Sequence, residues 1–487
     1  MSTSTARSRL DRFFKITERG STTATEIRGG LVTFVTMAYI VVLNPLIIGS
    51  FSADPNDPST HDDKFGAILP AGQVAAVTAL VAGVMTILFG LVANYPFALA
   101  TGLGINAFVA VTIAPQMSWP AAMGLVLVNG VVVLILVVTG VRTMVFNAVP
   151  PSLKAAIAVG IGLFITLIGL VDAGFVRRVP DVANTTVPVG LGIDGSIASW
   201  PTFVFVVGLL LTGVLVAKRV KGAILIGVLA TTVIAIIVES IVDAGPSMGV
   251  NQKGWNLGYP AVPDDVVGTP DLSLLGSFNF DAWVQVPVIT AVLLVFTLVL
   301  TDFFDTIGTM TGLGKEAGLI RKDGQLPGVG KALFVDGLGA VAGGAASSSS
   351  NTVYVESAAG IAEGARTGLA NVVTGLLFIA AMFFTPLYEA VPVEAAAPAL
   401  VIVGVLMMAQ IKEIDFDDFT VALPAFLTIV VMPFTYSIAN GIGAGFVSYV
   451  VLRAVTGRAR GIHPLLWIVA GLFVVYFALG PIRAAFA

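Results

Sequence analysis

Two short stretches place carboxylates and small polar residues where apolar helices would otherwise run on. Residues 300–308 hold Asp302 and Asp305, and residues 347–357 hold four consecutive serines, Asn351, Thr352 and Glu356. An ionised Asp or Glu at the centre of a bilayer costs about 3 kcal/mol on insertion scales, so acids at that depth are expected to face a cavity or pathway. Asp302 and Asp305 are three apart and on a helix would share a face, offering two carboxylates to one cavity. Glu356 follows the serine run by about one turn. Such groups suit a polar ligand that brings N–H donors, or a cation or proton carried with it. The competing reading puts the acids at the membrane edge, with Lys315 near the first pair and Arg366 neutralising Glu356. About 16 mostly apolar residues before Asp302 favour the intramembrane reading. Asn106, able to donate and accept at once, is a further candidate, although a buried Asn also serves to bridge helices.

The elements that must hold these residues are membrane helices. Of 487 residues, 56% are hydrophobic and only 11% charged, far from the roughly 25% charge of an average soluble chain. Apolar windows recur at 28–50, 73–93, 97–113, 120–143, 150–172, 200–218, 220–243, 286–313, 331–345, 351–365, 367–387, 396–411, 418–434, 437–455 and 463–482. Lipid offers the backbone no partners, and windows of this length exclude barrel strands, so the expected fold is all-α and polytopic. About fourteen of the windows are taken as spans. With no cysteine and only His61 and His463, disulfides, thiol catalysis and cysteine-bound metal are excluded, and no metal or cofactor site is expected. The net charge of −4 says nothing about partners, and residues 1–25 do not read as a secretory signal.

Basic residues set the orientation. Arg7, Arg9, Arg12, Lys15 and Arg19 precede the first window, and Arg142, Lys218, Lys221, Lys331, Arg366, Arg453 and Arg458 fall on the same side of the count, with Arg177 and Arg178 as the exception. The N-terminus is therefore expected in the cytoplasm. Seven spans is an odd number, so two similar halves would enter the membrane from opposite faces. Residues 97–108, in the third span, and 343–352, leading into the tenth, are both runs of small residues. Gly and Ser make poor continuous helix. Both are expected to be broken segments that meet at mid-membrane and leave amides for a ligand, the alternative being close helix packing. These features point to a secondary transporter.

Other candidates are weaker. Asp336 is expected to cap or pair locally with Lys331, and Glu239 nears the end of its span. Residues 337–339 imitate a phosphate-binding glycine loop without a preceding strand, and Asn184 heads a glycosylation triplet. Phe108, Phe303 and Phe304 are candidates to stack on a ring, though packing is the commoner role of such residues.

Four stretches in order, residues 26–45, 102–108, 301–309 and 349–357, resemble the nucleobase:cation symporter type 2 family, and within it the AzgA-like permeases for adenine, guanine and hypoxanthine. The likeness runs from about Phe13 to Val455. It implies two inverted seven-helix repeats forming a core domain (28–143 and 286–387) and a gate domain (150–243 and 396–457), after a cytoplasmic segment 1–27. The window 463–487 fits that plan only if the two windows before it form one broken span. The resemblance further implies import of a purine nucleobase by proton symport, with sodium the alternative ion, in a multi-pass cell-membrane protein that pairs as a homodimer. Asn106, Asp302 and Glu356 would then bind the base with Gly104 and Thr352 beside them, and Asp305, Asp302 and Glu356 would serve proton coupling. Carriers of uracil, xanthine or an anion are the alternatives, but an anion favours Arg, Lys and helix N-termini over three acids. A cation channel lined by acids is another. A membrane enzyme lacks a visible nucleophile and base, and nothing suggests nucleic acid.

Overall fold

The computed structural model describes residues 9–50, 62–140, 149–178, 189–247, 251–256, 259–262, 265–319 and 326–486. Among these, eight helices are long and apolar enough to cross a membrane, and five apolar helices are shorter. In chain order the elements are α1 (Thr23–Met37), α2 (Ile40–Ile48), α3 (Ala71–Ala93), β1 (Leu99–Thr101), α4 (Leu103–Phe108), α5 (Trp119–Val138), α6 (Pro151–Asp172), β2 (Val176–Arg178), β3 (Val189–Leu191), α7 (Trp200–Ala217) and α8 (Ala223–Val242). They continue with α9 (Val288–Glu316), α10 (Val329–Ala345), β4 (Asn351–Val353), α11 (Ser357–Ala362), α12 (Gly368–Ala381), α13 (Val393–Met408), α14 (Phe419–Phe434), α15 (Ile438–Val455) and α16 (Pro464–Phe486). The glycosylation triplet at 184–186 and the side chains of Phe304 and Lys315 lie outside the described residues.

Helices with no water between them are held by close packing, and small residues permit it. A Cβ added to Gly90 of α3 would lie 2.4 Å from the Gly368 carbonyl oxygen, and one added to Gly368 of α12 would lie 1.9 Å from that of Gly90. Gly130 meets Val341 across α5 and α10, and Gly162 meets Gly404 and Met407 across α6 and α13. Both atoms in the Gly90–Gly368 crossing belong to main chain, which cannot swing aside as a side-chain tip does. Gly368→Ala is therefore expected to destabilise the protein by about 1–3 kcal/mol or more, read as a lower melting temperature in detergent. A melting temperature equal to the parent's would contradict it.

Of the two pairing patterns open at the C-terminus, the structure has separate helices. Gly445 of α15 faces Thr428 and Pro424 of α14 while Gly441 faces Met432, so the two run antiparallel as a hairpin and do not form one broken span. Phe473 of α16 packs edge-on against Phe296 and beside Phe446, and it faces Gly443. At the end of the bundle that carries the chain's N-terminal part, Glu363 is paired by Arg28 at 2.9 Å and by Lys221, and Arg19 donates to the carbonyls of Asn94 and Arg366. Glu26 is fully buried and accepts the N–H groups of Arg366 at 2.8 Å and Thr367 at 3.2 Å, closing the start of α12.

Candidate functional site

The two small-residue runs leave the helical path and pair with each other. Asn94 ends α3 in the left-handed conformation, and after Pro96 the chain extends. Leu99, Ala100 and Thr101 lie antiparallel to Val353, Thr352 and Asn351. The ladder is lengthened by Gly102 N–H donating to Ser350 (2.9 Å) and Tyr354 N–H donating to Ala98 (3.0 Å). Side chains satisfy what remains: the Thr86 hydroxyl serves both the N–H and the carbonyl of Leu99 at 2.9 Å, and Asn371 donates to Phe97 at 2.6 Å. Both strands are wholly buried in protein, the condition under which non-helical backbone is tolerated at membrane depth. From opposite ends of this ladder α4 and α11 begin.

The acids gather around it. Asp302 stands 14 residues from either end of α9, about 20 Å in each direction, so it is a mid-helix residue and not a helix-end one. It is 1% exposed and accepts from Asn129 (3.0 Å) and Ser350 (3.3 Å). Asp305, one turn on, is partly exposed and accepts from the Thr352 hydroxyl at 3.1 Å, which ties α9 to β4. Glu356 is the residue before α11; it is partly exposed and accepts from the Tyr39 hydroxyl at 2.5 Å. Arg366 does not neutralise it, since that guanidinium donates to the carbonyls of Ile361 and Ala365. Asn106 is fully buried on α4 and donates to Asn44 at 2.6 Å. Gly104 is partly exposed, and a Cβ there would lie 2.6 Å from Ile161 of α6, where a second group of helices abuts the site. Phe108 and Phe303 are buried within the protein at 0% and 1% exposure.

Asp336 has a different partner from the one expected, and Glu239, in the last turn of its helix as expected, fastens a loop. Asp336 faces α9 and accepts from Thr306 at 2.9 Å, because α10 turns that side chain into the bundle and away from the exposed Lys331. Glu239 accepts from Trp255 Nε1 (2.7 Å) and from the N–H groups of Ala244 and Gly245, fastening the loop after α8. No group of three or more His, Cys, Asp or Glu among the described residues is arranged to hold a metal.

Sequence reasoning passed over Tyr39, Asn44, Thr78 and Asn129, each of which bonds to a candidate residue or to its partner. The signal was a polar side chain inside an apolar window, weaker than a charge but of the same kind. Tyr39→Phe removes one hydrogen bond to a carboxylate, worth about 1.5 kcal/mol. The expected result is an approximately tenfold rise in the KM for uptake, measured with radiolabelled substrate at matched expression. An unchanged KM would show that Tyr39 does not shape the Glu356 carboxylate for binding.

Sequence and fold comparisons identify the family. The sequence model of the Permease family (Xan_ur_permease) matches residues 24–444. The chain belongs to that family. The permease is 38% identical over 473 residues to the guanine/hypoxanthine permease PbuG of Bacillus subtilis, covering 96% of this chain and 99% of that one. It is 35% identical over 474 residues to the adenine permease AdeQ of Escherichia coli, covering 96% of each. Among solved structures its fold is similar to the transmembrane domain of the cyanobacterial bicarbonate transporter BicA, with a TM-score of 0.57 at 15% identity over 86% of this chain and 96% of that one. The permease is thus a multi-pass helical membrane protein with a transporter fold, not an enzyme.

Proposed function

We propose that the permease imports purine nucleobases, adenine, guanine or hypoxanthine, by proton symport with alternating access. The observation that carries this reading is the pair of partly open carboxylates, Asp305 and Glu356, the first hydrogen-bonded to the Thr352 hydroxyl of the main-chain ladder and the second, just past its end, to the Tyr39 hydroxyl. A purine has N–H groups on both rings, and carboxylate and amide oxygens accept them. The relatives named for guanine, hypoxanthine and adenine support the same substrate class. Glu356 and Asn106 hold the base with Gly104 and Thr352 alongside. Asp305 and the buried Asp302 take part in proton coupling.

The wider plan is fourteen spans in two inverted halves, with α14 and α15 counted separately and α16 standing outside the two halves. A core domain holding the ladder moves against a gate domain that contains α6, whose Ile161 abuts Gly104. The end that gathers Arg19, Arg28, Lys221 and Arg366 faces the cytoplasm, in keeping with the excess of Lys and Arg on that side of cell membranes. Two copies associate as a homodimer.

Uptake of radiolabelled purines into cells carrying the protein, with and without a protonophore and with sodium replaced, tests substrate and ion together. Saturable purine uptake that collapses with the protonophore and ignores sodium is expected. Sodium-dependent uptake would replace the proton in this account. Bicarbonate transport without purine transport would overturn the substrate class.

A further inference from the structure

We propose that Asn44 is a positioning residue that turns the amide of Asn106 so that its carbonyl oxygen, and not its NH2 group, meets the substrate. The substrate must then bring an N–H donor to that point. This inference rests on the reading of the site as a purine site.

The argument starts from a group whose role is not adjustable. The main-chain carbonyl of Ser348 can only accept, and Asn44 Nδ2 lies 3.1 Å from it. The same nitrogen reaches the Thr78 hydroxyl at 2.7 Å. Reversing the Asn44 amide would set two carbonyl oxygens against each other, so its orientation is decided by the backbone. Asn44 Oδ1 is thereby left facing Asn106 and accepts a hydrogen bond from Asn106 Nδ2 at 2.6 Å. The second amide is now decided as well. Its oxygen, Asn106 Oδ1, is buried and has no hydrogen-bond partner among the described residues. A buried amide oxygen without a donor is unfavourable and uncommon, and a ligand N–H would complete it. The relay runs from the serine segment before β4 through α2 and α3 to α4, so both broken segments contribute to one amide's direction.

With Glu356 also an acceptor, the site selects bases by their donors. A ring nitrogen that carries only a lone pair would face Asn106 Oδ1 unfavourably. Asn44 makes that discrimination without touching the base, and Thr78 steadies Asn44.

The test is a competition series. Purine analogues, each lacking one N–H donor through deletion of an exocyclic amine or replacement of a ring N–H by oxygen, compete against radiolabelled purine uptake. In the parent protein one deletion is expected to weaken inhibition about tenfold. In Asn44→Leu, where the Asn106 amide is released, that penalty should fall to about twofold. Asn44→Asp keeps an oxygen toward Asn106, and in its protonated form a donor toward Ser348, so it should restore the penalty. If Asn44→Leu fails to reach the membrane, Asn106→Asp decides: in its protonated form it keeps a donor for Asn44 and an oxygen for the base, and it should bind purine far better than Asn106→Leu. An unchanged penalty in Asn44→Leu, or equal loss of binding in the two Asn106 variants, overturns the proposal. Absence of purine uptake by the parent protein would instead overturn the substrate reading on which it rests.

Discussion

Glu356→Gln is expected to reduce purine uptake by about a hundredfold or more, with the protein still present in the membrane. The side chain keeps its length, and its oxygen can still accept from Tyr39, which holds the carboxylate at 2.5 Å. What changes is the other half of the group, where an acceptor becomes an NH2 donor. A hydrogen bond to a charged group is worth about 1.5–3 kcal/mol, and an unsatisfied buried donor costs about 1–3 kcal/mol more. Together these reach the hundredfold range, since about 1.4 kcal/mol is a factor of ten. Because the loss falls on substrate affinity, equilibrium binding to purified protein should fall in parallel with uptake. Binding and uptake at the parent level would remove Glu356 from the site.

Gly343→Ala should also lower uptake, by a different route. A Cβ at this position would lie 1.8 Å from the Ser349 carbonyl oxygen and 2.8 Å from Asn351 Nδ2. Both belong to the segment that carries Ser350, Thr352 and Glu356, so the strand must shift before the methyl group fits. The contacts at risk are Ser350 to Asp302 and Thr352 to Asp305, each worth about 1 kcal/mol, on top of overpacking strain of about 1–3 kcal/mol. Uptake is expected to fall about tenfold or more at matched expression, with a lowered melting temperature. Gly312→Ala is the control: nothing lies within 4 Å of its added Cβ, so it should leave both measurements near the parent's, with at most a gain of about 1 kcal/mol in helix propensity. Equal behaviour of the two variants would mean that the close approach at Gly343 does not govern the site.

How far these features could be read from the chain depended on their cost in hydrocarbon. Asp302, Asp305 and Glu356 stand out because a charge in an apolar run is expensive, and the runs themselves are legible because lipid leaves the backbone only one solution. Asn44, Asn129 and Tyr39 are neutral and cheaper to bury, so they pass as ordinary helix residues until their partners are known. Those partners come from distant sequence: Ser348 for Asn44, Asp302 for Asn129, Glu356 for Tyr39. Asn106 is open to two readings in the sequence, helix bridge or ligand group, and its nitrogen makes the bridge to Asn44 while its oxygen has no partner among the described residues. The C-terminal hairpin was hidden for a simpler reason. A turn of a few residues between two apolar helices reads the same whether they stack side by side or end to end.

The seam between Leu99–Thr101 and Asn351–Val353 is stitched mainly by peptide groups, with the Tyr354 hydroxyl donating to the Thr101 carbonyl at one end and the Ser357 hydroxyl accepting from Ala98 N–H at the other. Apart from those two hydroxyls, such a join makes little demand on the side chains along it, because its bonds run between main-chain groups. Bulk is what it resists, since a methyl group on Gly102 would already come within 3.1 Å of the Thr352 hydroxyl. Divergence at Gly102 should therefore stay among the smallest residues, even where the letters around it change.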